Sequence, residues 1–353
     1  MFFAVAARFF AVFFVFGLLL TPDEARAQDA KRSYILTTAT TGGTYYPVGV
    51  AIAALTKIKL EPTVGLSLSA ISSAGSAENI KLLRDGEAQF AILQGIYGAW
   101  AAAGEGPLSN EGPQKHLRAI TALWRNAEHF VVRADALQSG TLDDLVNLQG
   151  RKFSIGKRNS GAEGSGRFIL NTLGIDPETT FDLVFQGYGP SADSLQNGSI
   201  VGMNIPAGVP VSAVTRAYAA LGAKIRVLNF SDAHIDTLNS VYPLFTRQII
   251  PAGTYPSQTE DIATAAQPNL LVARADVSDD DVYQITKAIF ENLIYLRGIH
   301  KATADISLET ALEGLPVPLH PGAEAYYREQ GMTPPDHLVS RSQEIGSSLF
   351  EAD

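Results

Sequence analysis

Tyr34-Ile-Leu-Thr-Thr-Ala-Thr-Thr-Gly-Gly-Thr-Tyr-Tyr-Pro-Val-Gly49 is the stretch from which the fold can be read. A short apolar run breaks at Gly42-Gly43 and a helical pattern follows to about Lys57, so the segment reads as strand, glycine turn and helix. The two glycines allow a tight turn, Thr44 stands where a cap belongs, and the first helical turn aims unpaired N–H groups past the strand's carboxyl end. Such a turn is either an anion cradle or a plain connection. Recurrence favours the cradle: the same grammar returns at Ala70 to Asn79, at Ser154 to Glu163, and more weakly at Phe185 to Ser191. In open α/β sheets ligands sit beyond the carboxyl ends of the strands, so several such turns facing one crevice imply a cleft between two lobes.

Working outward, apolar extended runs alternate with helical stretches: Gly65 to Ile71, a helix from Ala77 to Asp85, Gln89 to Leu93, and a helix through Trp100. This alternation predicts an α/β fold with largely parallel sheets. The loop Gly104 to Pro113 precedes the apolar run Leu117 to Trp124, the extended piece Phe130 to Arg133 and a helix start at Thr141. From about Arg125 the pattern restarts and continues to Leu228 as a second α/β lobe. Asn269 to Arg274 repeats the theme of Phe130 to Arg133, which places the two as neighbouring crossings near a hinge. Ser278-Asp-Asp-Asp281 opens a helix expected to reach about Arg297; a helix N-terminus accounts for those acids better than calcium does.

Residues 1–27 have the form of a secretory signal, with Arg8 before the apolar stretch Phe9 to Leu20 and an A-x-A site at Ala25-Arg-Ala27. Cleavage after Ala27 places the mature chain in the periplasm. The chain has no cysteine, which removes disulfides, thiolate metal sites and a lipid-bearing cysteine. Its net charge of −9 survives removal of the signal, because Arg8 and Arg26 leave together with Asp23 and Glu24. An acidic chain with no basic run is a poor nucleic-acid partner. Nor do enzyme motifs emerge: the six histidines show no metal-ligand spacing, and there is no nucleophile elbow or phosphate loop. The expectation is a binding protein, with no catalytic residue, metal or cofactor.

Thr41 to Gly49, Ser73 to Asn79, Ala207 to Pro210, Ile250 to Pro256 and Gly314 to Gly322 stand in an order that resembles the TAXI-type substrate-binding proteins of tripartite (TRAP) transporters. The resemblance covers nearly the whole mature chain. It implies the periplasmic binding protein fold of the second type, with lobe I from residues 28–125 and 230–353 and lobe II from 126–229. It further implies a monomer that delivers an amino acid such as glutamate or glutamine, or an organic acid such as 2-oxoglutarate, to an ion-gradient-driven TRAP permease with separate or fused small and large subunits. Two other readings use the same fold: a periplasmic sensor for a signalling receptor, and an exported enzyme.

Candidate ligand-binding residues follow from the turns. Thr41, Thr44, Tyr45, Ser73, Ser76, Gln94, Ser160 and Gly161 offer hydroxyls, an amide and backbone N–H groups, with Gly43 and Ala162 beside them on the same turns and Gly208 in the Ala207 to Pro210 segment. Each serine or threonine has an alternative role as a cap, Tyr45 one as a core aromatic, and Glu78 one in a local hydrogen-bond set. Arg125, Lys157, Arg158 and Arg247 are the cations near the expected crevice. Of these, Arg125 and Arg158 border cleft segments directly and suit a ligand carboxylate.

Overall fold

Strand β1 (Arg32–Thr37) runs into the glycine turn, and helix α1 (Tyr45–Lys59) leaves it. The computed structural model describes residues 31–340; the expected signal segment 1–27 lies outside the described residues. After α1 come α2 (Glu61–Val64), β2 (Leu66–Ile71), α3 (Ser76–Arg84), β3 (Phe90–Gln94), α4 (Gly95–Ala103) and β4 (Leu117–Ala127). The middle of the chain supplies β5 (Phe130–Arg133), β6 (Arg151–Ser154), α5 (Gly161–Thr172), α6 (Pro177–Thr180), β7 (Phe181–Val184), α7 (Tyr188–Gln196), β8 (Gly202–Asn204), α8 (Ser212–Leu221) and β9 (Ile225–Val227). Returning, it forms α9 (Asp232–Asn239), β10 (Thr246–Ile250), β11 (Ile262–Arg274), α10 (Asp279–Glu291), α11 (Leu293–Ile299) and α12 (Pro321–Glu329).

Two sheets result, and they share one plan. In the first, β1 pairs in parallel with β2 and β3, and β11 runs antiparallel to β3, β4 and β10. In the second, β6 pairs in parallel with β7 and β8, while β5 runs antiparallel to β8 and β9. Each thus has the first of its three parallel strands between the second and the third, with an antiparallel strand beyond. That arrangement opens a crevice beyond the carboxyl ends of the central parallel strands. β3 is buried along its whole length, and its unbroken apolar run Phe90 to Leu93 is what a strand covered on both faces requires.

Several local expectations change. Asn269 to Arg274 does not neighbour Phe130 to Arg133; it pairs with β3 and β4, while Phe130 to Arg133 sits in the second sheet. The passages between sheets lie instead at Ala127 to Phe130 and at Leu228 to Phe230. They are pinned by backbone bonds from Glu128 to Ala265 (2.9 Å) and from Phe230 to Ala263 (2.8 Å). The helix opened by Ser278 breaks at Asn292, whose side-chain amide donates to the Ala288 carbonyl (2.8 Å) and competes with the helical ladder. The helix start expected at Thr141 is present, as the 3-10 helix Leu142–Leu148 with Thr141 at its N-cap.

His129 holds the first passage together. Its Nδ1 lies 2.9 and 3.0 Å from the carbonyls of Ala127 and Ile205, so that nitrogen carries the proton and donates; Nε2 accepts from the Tyr255 hydroxyl at 2.8 Å. Burial pushes its pKa down to about 4, which keeps the ring neutral as this bonding demands.

Candidate functional site

The crevice between the sheets is built from the starts of helices. Thr44 and Tyr45 open α1, Ser76 opens α3, Gln94 precedes α4, Gly161 and Ala162 open α5, and Tyr188 opens α7; together with Pro206 and Ala207 they line one cavity. Five helix N-termini therefore share it, and no lysine or arginine is among the lining residues. Some first-turn N–H groups are already bonded within the protein, Glu78 to the Asn159 carbonyl, Ile96 to Gln267 Oε1 and Glu163 to Ser160 Oγ, but each terminus still carries a partial positive charge, so the site favours an anion without any cationic side chain.

The two halves touch around this cavity. The Thr44 hydroxyl donates to the Gly208 carbonyl (3.0 Å), Ser212 Oγ to the Gly42 carbonyl (2.9 Å), the Tyr97 hydroxyl to the Ser160 carbonyl (3.2 Å), and the Glu78 backbone N–H to the Asn159 carbonyl (3.1 Å). The cavity is partly open and its free volume is about 30 Å³, room for roughly two waters. That is too little for a solute of several heavy atoms in this form.

Below the helix starts lies a polar floor. Trp124, Asn126 and Glu128 alternate along β4 and its extension, and Gln267 and Asn269 alternate along β11, with Gln267 directly opposite Asn126. All five are at most 2% exposed. Their partners are incomplete: Trp124 Nε1, both side-chain polar atoms of Asn126, both carboxylate oxygens of Glu128, Gln267 Nε2 and Asn269 Nδ2 form no hydrogen bond, and neither do Ser165 Oγ and Gln94 Oε1 nearby. Buried polar groups are nearly always paired in folded proteins, so a concentration of unpaired ones marks a surface shaped for something other than the protein itself. Tyr45 ties this floor to the cavity by donating its hydroxyl to Asn269 Oδ1, and burial raises its phenol pKa well above the usual range.

The sequence candidates divide into three groups. Thr44, Tyr45, Ser76, Gln94, Gly161 and Ala162 line the cavity together. Gly43, Ser73, Ser160 and Gly208 border it through structural roles. Gly43 is buried against the Tyr188 ring, and Ser73 Oγ donates to the Thr38 carbonyl (3.0 Å). Ser160 caps α5 by accepting from the Glu163 N–H (3.0 Å), and Gly208 offers its carbonyl to Thr44. Thr41, Arg125 and Arg158 are exposed and outside the lining: Arg125 is the outward residue between Trp124 and Asn126, and Arg158 lies 3.6 Å over the Phe185 ring. Lys157 is likewise exposed, while Arg247 is held by the Phe230 carbonyl and Asp232. Changing Arg125 or Arg158 to glutamine is therefore expected to alter ligand affinity less than threefold, under about 0.7 kcal/mol, in a calorimetric titration.

Sequence reasoning missed the floor and Tyr188. A usable signal existed in polar residues at every second position of strands that are otherwise apolar, Asn126 and Glu128 in one and Gln267 and Asn269 in the other. A half-buried strand carries that pattern on its solvent face; here the polar face is the buried one.

Residues 36–331 match the NMT1-like family. Among solved structures, the chain is similar to MatC from Rhodopseudomonas palustris with bound malate, at 15% identity and TM-score 0.51, over 85% of this chain and 97% of that one. Further similarities are to PhnD1 from Prochlorococcus marinus in complex with methylphosphonate (12% identity, TM-score 0.49, 85% and 99% covered) and to the periplasmic aliphatic sulphonate binding protein SsuA from Escherichia coli (11%, 0.42, 84% and 78%). The match to MatC shows the fold, that of the periplasmic binding proteins.

Proposed function

The chain belongs to the NMT1-like family, and from that premise we propose that it is an extracytoplasmic receptor that takes one small carboxylate-bearing solute between its lobes and hands it to a membrane permease. The observation that carries this reading is the convergence of five helix N-termini on one interlobe cavity whose lining holds no cationic side chain. A carboxylate would accept from the free N–H groups there, each favourable terminus contributing about 0.3–1 kcal/mol and up to about 2 where water is excluded. Contacts from both lobes to one solute stabilise the closed form relative to the open one, and the closed face is what a permease reads. The ordered motifs from Thr41 to Gly322 support a TAXI-type receptor serving an ion-gradient-driven TRAP permease, and residues 1–27 support export to the periplasm.

Calorimetry of the mature chain, residues 28–353, against amino acids and small organic acids tests this, together with native mass spectrometry of freshly purified protein. One binding site for a carboxylate and no turnover of the bound solute are expected. Binding of a sugar or a bare metal ion, with no carboxylate bound, overturns the reading.

A further inference from the structure

Glu128 sits where the chain passes from the first sheet to the second, with its backbone N–H bonded to Ala265 and its carbonyl accepting from Thr264 Oγ1 at 2.6 Å. Its side chain is fully buried, and neither carboxylate oxygen accepts a hydrogen bond. Ser165 of α5 and Gln267 of β11 flank it from the two halves of the molecule, near enough for their neutral Oγ and Nε2 donors to offset part of what burial does to the carboxyl, though neither meets it with hydrogen-bond geometry. Burial above all raises the phenols of Tyr45 and Tyr188, two residues of the cavity lining, and the charge of Glu128, which lies behind that lining and is not part of it, adds to the rise in both.

Among the described residues, no arginine, lysine, aspartate or second glutamate acts on Glu128. Neighbouring His129 is neutral and turned to Tyr255. A buried acid so placed has two stable options: to keep its proton, or to take a cation from outside the protein, because an unpaired buried carboxylate is costly. The cavity beside it is ringed by helix N-termini that favour an anion. One small molecule satisfies both demands only if it carries a negative group and a positive one.

We propose that Glu128 selects solutes with a protonated amine beside the carboxylate, taking the ammonium group while the helix N-termini take the carboxylate. This rests on the proposed receptor function and adds to it the charge class of the solute and the residue that reads it. A dicarboxylate or 2-oxo acid offers Glu128 no donor, and is accommodated only while the acid keeps its proton. Burial holds that proton in the empty protein, with a pKa of about 8. An ammonium-bearing solute therefore displaces it to solvent at neutral pH, leaving the carboxylate paired with the ligand.

The test titrates the mature chain with each proteinogenic L-amino acid and with its 2-oxo and 2-hydroxy counterparts. Calorimetry at pH 7 in buffers of different ionisation enthalpy counts the protons released. In the wild type, the best amino acid should bind at least tenfold tighter than both counterparts, with close to one proton released. Glu128→Gln, which keeps the shape and removes the charge, should reduce that preference below twofold and abolish the release, while circular dichroism shows an intact fold. A 2-oxo or 2-hydroxy acid binding as tightly as the amino acid in the wild type overturns the assignment, and so does equal weakening of all three classes in the variant. Failure of every carboxylate to bind the wild type overturns the receptor function itself, a separate result.

Discussion

Glu128→Gln is expected to make the empty protein more stable at pH 9 than the wild type by about 2–4 kcal/mol, and to leave stability at pH 4.5 nearly unchanged. The sign follows from where the proton resides. Folded Glu128 has a pKa of about 8 against an ordinary 4.5, so between these values the folded state holds a proton that the unfolded state has lost. Wild-type stability from this group is complete below pH 4.5, falls as pH rises toward 8 by at most about 1.4 kcal/mol per unit, and levels off above. Water penetration and relaxation reduce the full amount, hence the smaller range. His129 acts in the opposite direction: its pKa of about 4 against 6.5 means that stability is lost as pH falls from 6.5 to 4. The two slopes cancel between pH 4.5 and 6.5, so the wild type should show a plateau there and decline on both sides. Urea unfolding at pH 5, 7 and 9 measures this. An equal alkaline decline in the wild type and in Glu128→Gln would show that the carboxyl does not carry it.

The parts of this molecule that follow local rules were legible in the chain. Gly42-Gly43 and Ser73 to Ser76 announced helix starts, and the alternation of apolar strands with helices announced two α/β layers, because turn chemistry and hydrophobic period act over a few residues. Long-range pairing was not legible. Asn269 to Arg274 resembles Phe130 to Arg133 in composition, yet it is paired along both edges, by β3 on one side and β4 on the other. The site divided in the same way. Thr44, Ser76 and Gly161 were found because they mark turns; Glu128 and Gln267 were missed because only long-range strand pairing, Gln267 opposite Asn126 and Glu128 bonded to Ala265, brings them together. Charge was a poor guide on its own. Arg125 and Arg158 drew attention as cations, but a long cationic side chain beside a strand or turn is more easily solvated than buried, and both are exposed here.

Gly164→Ala should cut ligand affinity at least 100-fold, about 2.7 kcal/mol, while leaving the protein as stable as before or slightly more so. Gly164 lies on the buried face of α5, where a Cβ would stand 2.0 Å from the Tyr97 hydroxyl and 2.6 Å from its Cζ. Tyr97 belongs to α4 on the opposite half, and its ring cannot easily withdraw: it is 2% exposed and packs edge-on against Trp100 with centroids 4.9 Å apart. The added methyl therefore opposes the approach of α5 to α4, and with it the hydrogen bond from Tyr97 to Ser160 that accompanies closure. Once α5 and α4 part, the same methyl no longer faces Tyr97 and sits on a helix, where alanine is favoured over glycine by about 1 kcal/mol. Stability and affinity should thus move in opposite directions, which separates a block on closure from simple misfolding. Small-angle scattering with saturating ligand should show a larger radius of gyration for the variant than for the wild type, and urea unfolding should show an equal or higher midpoint. Adding Tyr97→Leu, which removes the ring that the methyl strikes, should restore part of the lost affinity. If Gly164→Ala binds as tightly as the wild type and scatters identically, contact between α5 and α4 is not the surface on which the two halves close.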